Sequence, residues 1–190
     1  WGCTVMDSVY ISENPEIQPT VSPVQTVSCY GLSDGIVTVS STGGVGSHIF
    51  FWSTDPVGHT NNPDTVSGLA EGSYYVTTQD ALGCEVLDSI YVSEPEPLTM
   101  QATALAWISC FGADDGLAYA TAQGGNTSYT FTWSSNNQIG DTINTITPGT
   151  HVVTVVDDRG CTANDTVYMY EPHLLEIDID TSLTIWPYCI

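Results

Sequence analysis

Gly83-Cys84-Glu85-Val86-Leu87-Asp88-Ser89-Ile90-Tyr91-Val92-Ser93-Glu94-Pro95 decides how this 190-residue chain is read, because the stretch occurs three times. The other copies are Gly2-Cys3-Thr4-Val5-Met6-Asp7-Ser8-Val9-Tyr10-Ile11-Ser12-Glu13 and Gly160-Cys161-Thr162-Ala163-Asn164-Asp165-Thr166-Val167-Tyr168-Met169-Tyr170-Glu171-Pro172. Their cysteines fall 81 and then 77 residues apart, and a fixed period of this size marks a tandem repeat. With a copy already at residue 2, the chain is expected to open at the end of one repeat and close inside another. The divisions predicted are residues 1–15 as the last strand of a preceding repeat, 16–95 and 96–172 as two complete repeats, and 173–190 as the first strand of a following one.

Outward from the motif, each complete repeat reads as short strands broken by turns. Ile36-Val37-Thr38-Val39-Ser40 is β-branched and alternating, Ile49-Phe50-Phe51-Trp52-Ser53 is the most aromatic stretch, and Ser73-Tyr74-Tyr75-Val76-Thr77-Thr78 leads into the motif strand. The segment from Ile17 to Val27 carries Pro19 and Pro23, which cannot donate to a ladder and so place it at a sheet edge. Trp133 follows Trp52 by 81 residues, whereas Asp141-Thr142 follows Asp64-Thr65 by 77. The four-residue deletion therefore lies between them, in a loop, where length changes are tolerated. About seven strands per 80 residues, with no helical periodicity, predicts an all-β fold of tandem Ig-like (PKD-like) β-sandwich repeats forming a rod. Trp52 and Trp133 would sit at the two core centres.

Charge narrows the partners. There are 22 Asp and Glu against one Lys or Arg, Arg159, for a net charge of −21. A surface with one cation cannot neutralise phosphates, which excludes nucleic acid and anionic lipid. No apolar run is long enough to span a bilayer, so no direct membrane insertion is expected. Hydrophobic residues at 42% argue for packed cores despite the charge. Six cysteines recurring in phase, without a Cys-x-x-Cys pair, read as disulfides in an oxidising compartment. The chain is expected to be exported.

The order Cys-x-Gly-x-x-Asp-Gly, Gly-Gly, aromatic-x-x-Trp-Ser, Gly-x-Tyr or Gly-x-His, Asp-x-x-Gly-Cys and Glu-Pro resembles the SprB repeat of Bacteroidota gliding and surface adhesins, over nearly the whole chain. The departures are Pro19 and Pro23, and the first joint, which reads Glu13-Asn14-Pro15. The resemblance implies a very large, repetitive cell-surface protein exported by type IX secretion. Asp-Ser/Thr-aliphatic triplets occur at Asp7-Ser8-Val9, Asp64-Thr65-Val66, Asp88-Ser89-Ile90, Asp141-Thr142-Ile143 and Asp165-Thr166-Val167. They match the acceptor pattern for O-glycosylation of exported Bacteroidota proteins, making Ser8, Thr65, Ser89, Thr142 and Thr166 the candidate acceptors. The competing explanation is a strand whose Val or Ile simply faces the core.

Cys3, Cys29, Cys84, Cys110, Cys161 and Cys189 are the disulfide candidates, and three pairings compete. Cys29–Cys84 and Cys110–Cys161 would close each repeat on itself. In an Ig-like order, however, those cysteines lie at opposite poles, roughly 20–30 Å apart, which is beyond disulfide reach. Cys29–Cys161 would staple a joint, and Cys84–Cys110 would pair sequence neighbours. Asp34, Asp80, Asp114, Asp115, Asp157 and Asp158 sit in turn contexts and would serve either as turn residues or as partial calcium ligands. No calcium-loop spacing is present, so neither a metal site nor a cofactor is assigned. His48, His59, His151 and His173 are neither clustered nor in phase, and no nucleophile motif occurs, so no enzyme is expected. The reading is a structural or adhesive stalk or filament segment at a bacterial surface. Its partners would be neighbouring repeats of the same chain, other copies of itself, or surface polysaccharide. The alternatives are a self-assembling extracellular fibre and a carbohydrate-binding module of a secreted enzyme, whose signature would be exposed Tyr74, Tyr75 or Tyr129.

Overall fold

Alternation of period two, read in Gly35–Thr42 as a buried-and-open sequence, is the simplest cause of what the chain builds. Val37 and Val39 are fully buried on one face while Thr38 and Ser40 look away. The computed structural model describes residues 1–135 and 137–178; these contain strands and turns and no helix. The chain divides into two units, Trp1–Pro97 and Leu98–Ile190.

The first unit holds β1 (Gln18–Gln25), β2 (Gly35–Thr42), β3 (Ile49–Trp52), β4 (Asp64–Leu69), β5 (Gly72–Gln79) and β6 (Glu85–Val92). The second holds β7 (Thr99–Ala106), β8 (Gly116–Gln123), β9 (Thr130–Trp133), β10 (Thr142–Ile146), β11 (Gly149–Val156) and β12 (Thr162–Met169). In the first unit the sheets run β1-β2-β4 and β3-β5-β6; in the second, β7-β8-β10 and β9-β11-β12. All ladders are antiparallel. The chain changes sheet between its second and third strands, its third and fourth, and its fourth and fifth, which is the crossover logic of an Ig-like sandwich. The fold class is all-β, and among the described residues each unit has six strands where about seven were expected.

β1 lies at a sheet edge, as its prolines require, with Pro19 opposite Ser41 and a bulge after Pro23. The core of the first unit joins Val37 and Val39 of one sheet to Phe50, Trp52, Val76 and Val92 of the other. The second unit repeats this with Ala118, Ala120, Trp133, Val153, Val155 and Met169. Trp52 and Trp133 are 2% and 0% exposed, and each indole N–H is satisfied inside: Trp52 donates to Asp64 Oδ2 at 2.8 Å, Trp133 to the Gly140 carbonyl at 3.0 Å. The Gly of each Asp-Gly pair sits in a tight space, closed by backbone at Gly35 and by side-chain ends at Gly116. A Cβ at Gly35 would stand 2.8 Å from the Leu69 carbonyl oxygen, and one at Gly116 would stand 2.6 Å from Met169 Cε.

The expected strand at 1–15 is not formed, and Val5, Val9 and Ile11 are exposed. In each unit the motif strand is held by the strand immediately before it, and residues 1–15 pair with no strand among the described residues. An apolar alternation without a ladder partner cannot satisfy its backbone as sheet. Residues 173–178 likewise form no strand, and the remainder of the expected 173–190 segment lies outside the described residues.

Trp52→Ala and Trp133→Ala should each cost about 3–5 kcal/mol, through lost burial and the cavity left behind. Urea unfolding of each variant against the parent chain checks this.

Candidate functional site

The hairpin ending in the repeated motif, β5–β6 or β11–β12, is the site where the sequence candidates meet. Its turn is Asp80-Ala81-Leu82-Gly83-Cys84 in one unit and Asp157-Asp158-Arg159-Gly160-Cys161 in the other. Gly83 and Gly160 take φ of 84° and 85°, left-handed values that favour glycine. Asp80 Oδ1 accepts the amides of Leu82 and Cys84, both at 2.9 Å, and Oδ2 accepts the Val45 amide at 3.0 Å. Asp157 repeats the arrangement. Its Oδ1 takes Arg159 and Cys161 at 2.9 and 2.8 Å, and its Oδ2 takes the Asn126 amide and Nδ2 at 2.7 and 2.9 Å.

Both carboxylates are buried. Burial by itself would raise their pKa. The amides of Cys84, Val45 and Leu82 more than reverse this for Asp80, and Asn126, Cys161 and Arg159 do so for Asp157. Asp80 and Asp157, two of the acids considered for calcium, are thus used as turn organisers. Asp34 and Asp115 do the same in the first turn, accepting the Ser28 and Ser109 amides at 2.9 and 3.0 Å. Among the described residues, no group of three or more His, Cys, Asp or Glu is placed to hold a metal.

From this turn the period of two carries the candidate hydroxyls outward. On β6 the open positions are Glu85, Leu87, Ser89 and Tyr91; on β12 they are Thr162, Asn164, Thr166 and Tyr168. Ser89 and Thr166 are exposed, as are Thr65 on β4, Thr142 on β10 and Ser8 in the strandless N-terminal segment. The preceding aspartates do different work. Asp88 and Asp165 each accept the next residue's amide at 2.7 Å, and Asp165 Oδ2 also takes the Ala102 amide at 2.8 Å. Asp64 is buried under Trp52 and His59. Thr65 Oγ1 donates to Thr38 Oγ1 at 3.2 Å, and Thr142 Oγ1 to Asp141 Oδ1 at 3.0 Å.

Cys29 and Cys161 are each disulfide-bonded, whereas Cys3, Cys84 and Cys110 are free, exposed thiols; Cys189 lies outside the described residues. Closure of each repeat on itself is therefore not made, and neither is Cys84–Cys110. The physical reason for the first is visible within one unit. The Cys29 turn is tied to the far end of β6, with the Val27 amide on the Ser93 carbonyl and the Gly31 amide on Glu94 Oε2. Cys84 stands at the near end, an eight-residue strand away, or about 26 Å at ~3.3 Å per residue. The Cys110 turn is tied to Tyr170 and Glu171 in the same manner, a strand length from Cys161.

The histidines brace loops. His48 Nε2 meets the Gly43 carbonyl at 3.1 Å. His151 Nε2 donates to the Thr147 carbonyl at 2.8 Å, which leaves Nδ1 to accept from Ser135 and ties the loops flanking β10. His59 sits between Asp64, 2.9 Å from Nδ1, and Asp55, 3.3 Å from Nε2. This Asp55–His59–Asp64–Trp52 network was missed by sequence reasoning. Its only signal is the four extra residues of the first β3–β4 loop. Partial burial would lower the His59 pKa, but its bonds to Asp55 and its attraction to Asp64 outweigh that and raise it. His173 is exposed beyond β12.

Two titrations test these assignments. Asp157 has a depressed folded pKa, so its contribution is present above the unfolded value of about 3.9 and is lost as pH falls through the folded one. Asp157→Asn should be less stable than the parent chain at pH 7, with the difference closing below pH ~4 in thermal melts. A difference independent of pH would contradict the carboxylate role. His59 has a raised folded pKa, so its contribution is present below about pH 6.5 and is lost as pH rises through the folded value. His59→Ala should abolish the fall in stability just above that pH, measured by the same melts.

The SprB repeat model matches residues 21–56 and 108–138. No curated protein matches the chain. Among solved structures, the chain is similar to the C-terminal 282-residue fragment of intimin in complex with the translocated intimin receptor (Tir) intimin-binding domain. That likeness has 14% identity and a TM-score of 0.42, over 83% of this chain and 64% of that one. It is also similar to an amphioxus IgVJ-C2 molecule, at 14% identity and TM-score 0.32, over 80% of this chain and 96% of that one. Domains 5–6 of the S-layer protein SbsC align at 16% identity and TM-score 0.24, over 84% of this chain and all of that one. The two matches to the SprB repeat model fall one in each unit, so each unit contains a segment similar to that repeat.

Proposed function

We propose that the chain is a structural and adhesive segment of a large, repetitive, O-glycosylated bacterial surface protein, working as a stalk or filament. The observation that carries this is the repetition of an exposed Asp-Ser/Thr hydroxyl at in-phase positions of units that each contain a segment similar to the SprB repeat. Type IX export belongs to the same reading. Many weak contacts along such an array add up to avidity without a strong single site, which agrees with units whose buried polar groups are spent on holding turns. Glycan transfer would form a bond from the Ser or Thr hydroxyl oxygen to the anomeric carbon of a phosphate-activated sugar. The sugar–phosphate bond breaks, the phosphate leaves, and the hydroxyl proton passes to the transferase's base.

The carbohydrate-binding module has less support. Of its three signature residues, Tyr74 and Tyr129 use their hydroxyls on the Ala70 and Gly124 carbonyls, at 3.0 and 2.6 Å. Tyr75 alone of the three is classed as exposed.

Peptide mass spectrometry on native material is the test, with a protease that cuts at Asp or Glu because Arg159 offers trypsin a single site. Hexose-bearing peptides at Ser89 and Thr166, with others among Ser8, Thr65 and Thr142, are the expected result. Unmodified peptides at all five would overturn the glycosylated-surface reading. Left unreduced, the same digest identifies the cysteine that Cys29 holds.

A further inference from the structure

The motif strand carries a second feature on its open face. Two residues after each candidate hydroxyl stands a tyrosine: Tyr10 after Ser8, Tyr91 after Ser89, Tyr168 after Thr166. All three are exposed, at 91%, 58% and 51%. The core does not explain them, because the buried positions of this strand are the alternate ones, Val92, Val167 and Met169 among them. Residues two apart on a strand share a face and lie about 6.6 Å from each other. Hydroxyl and ring are thus neighbours in β6 and in β12. In the first unit a further ring flanks the site, since Tyr75 of β5 stands directly opposite Ser89. Facing pairs of this kind have side chains about 5 Å apart at their bases.

Each ring is held in place by a different partner. Tyr91 donates its hydroxyl to Glu71 Oε1 at 2.5 Å. Tyr168 packs edge-on against Tyr170, with centroids 4.5 Å apart, and Tyr170 packs on Trp107 at 5.3 Å. Around Thr166 the open face is uncharged, in a chain of net charge −21. The open positions beside Thr166 are Thr150, Val152, Thr154 and Asn164, and Asp165 is turned away to the Ala102 amide. In the first unit Glu71 holds the Tyr91 hydroxyl, and Glu85 stands at the other end of β6, bonded to Gln79. A fixed, open ring, set among neutral hydroxyl and amide groups in the second unit, suits the apolar C–H face of a neutral sugar better than an aliphatic partner.

We propose that Tyr91 and Tyr168 are seats for the glycan carried by the same strand, with the first neutral sugar on Ser89 or Thr166 lying against the ring two residues on. This rests on the O-glycosylation reading and adds to it a place and an orientation. The bound sugar covers the open face of the strand instead of projecting freely from it. Thr65 and Thr142 have Ser67 and Asn144 at the corresponding positions, so their sugars have no seat.

The experiment is NMR of the carbon-13-labelled chain as isolated from glycosylating cells, beside Tyr91→Ala, Tyr168→Ala and Tyr91→Phe. Site occupancy is read by mass spectrometry on the same samples. The expected result is ring-current-shifted sugar C–H resonances, with contacts to tyrosine ring protons, for Ser89 and Thr166. These shifts should be lost in the matching alanine variants and kept in Tyr91→Phe. Sugars on Thr65 or Thr142 should resonate as free glycan. Occupied Ser89 and Thr166 whose sugars resonate as free glycan in the parent chain would overturn the seat and leave glycosylation standing. Unoccupied Ser89 and Thr166 would overturn the seat together with glycosylation of this strand.

Discussion

A buried carboxylate under a five-residue turn is the constraint on which the hairpin, and with it most of the candidate site, depends. Asp80 and Asp157 each collect amides from their own turn and one more from the loop before the third strand. That places the left-handed glycine and pins the cysteine that leads into β6 or β12. Because side chains alternate, pinning one residue settles the facing of all eight in the strand. A slip by one would turn Val92 or Met169 to solvent and bring Ser89 or Thr166 into the core. The polar cluster at one end of the hairpin and the apolar core along it therefore enforce the same register. Neither would be enough alone, since a turn can slide and a hydrophobic face does not choose between shifts of two.

The same constraint governs what the cysteines can do. Fixing Cys84 and Cys161 at the near end of their strands, while the first turn is bonded to the far end, puts a full strand between cysteines of one repeat. In a chain with one basic residue, few turns can be organised by ion pairs. Here the acids are stabilised by backbone donors, so 22 Asp and Glu side chains coexist with a fold whose basic side chains are Arg159 and four histidines. In these turns the oxygens of Asp80 and Asp157 already face N–H groups.

The strands, the proline-bearing edge, the two core tryptophans and the loop that absorbs the deletion were legible because each leaves a local signature. Alternation, a missing donor, a large buried ring and a length difference between repeats all belong to short stretches of sequence. That residues 1–15 form no strand here has an equally definite cause. Val5, Val9 and Ile11 carry the alternation of a strand, but a ladder needs a neighbour, which no single segment encodes. Three-dimensional pairing was out of reach for the same reason. The three disulfide schemes differ in which turns meet, and the His59 bridge depends on a loop folding back over Trp52, where the second repeat uses the Gly140 carbonyl instead.

Comparing the two units separates what the fold needs from what it merely permits. The turn carboxylates, the tightly enclosed Asp-Gly glycines and the core tryptophans are constant, and removing any of them would leave a buried group unsatisfied or a clash unrelieved. The indole partner is not constant: Asp64 in one unit and a carbonyl in the other satisfy the same N–H, so that position records a loop length and no functional demand. The exposed tyrosine of the motif strand fits neither class. It is constant, yet it faces solvent, and the two units secure it by unrelated means, an acid in one and two further rings in the other. A ring that the core does not call for, kept at the same distance from a hydroxyl while its supports change, is better explained by what it touches outside the fold than by what it does within.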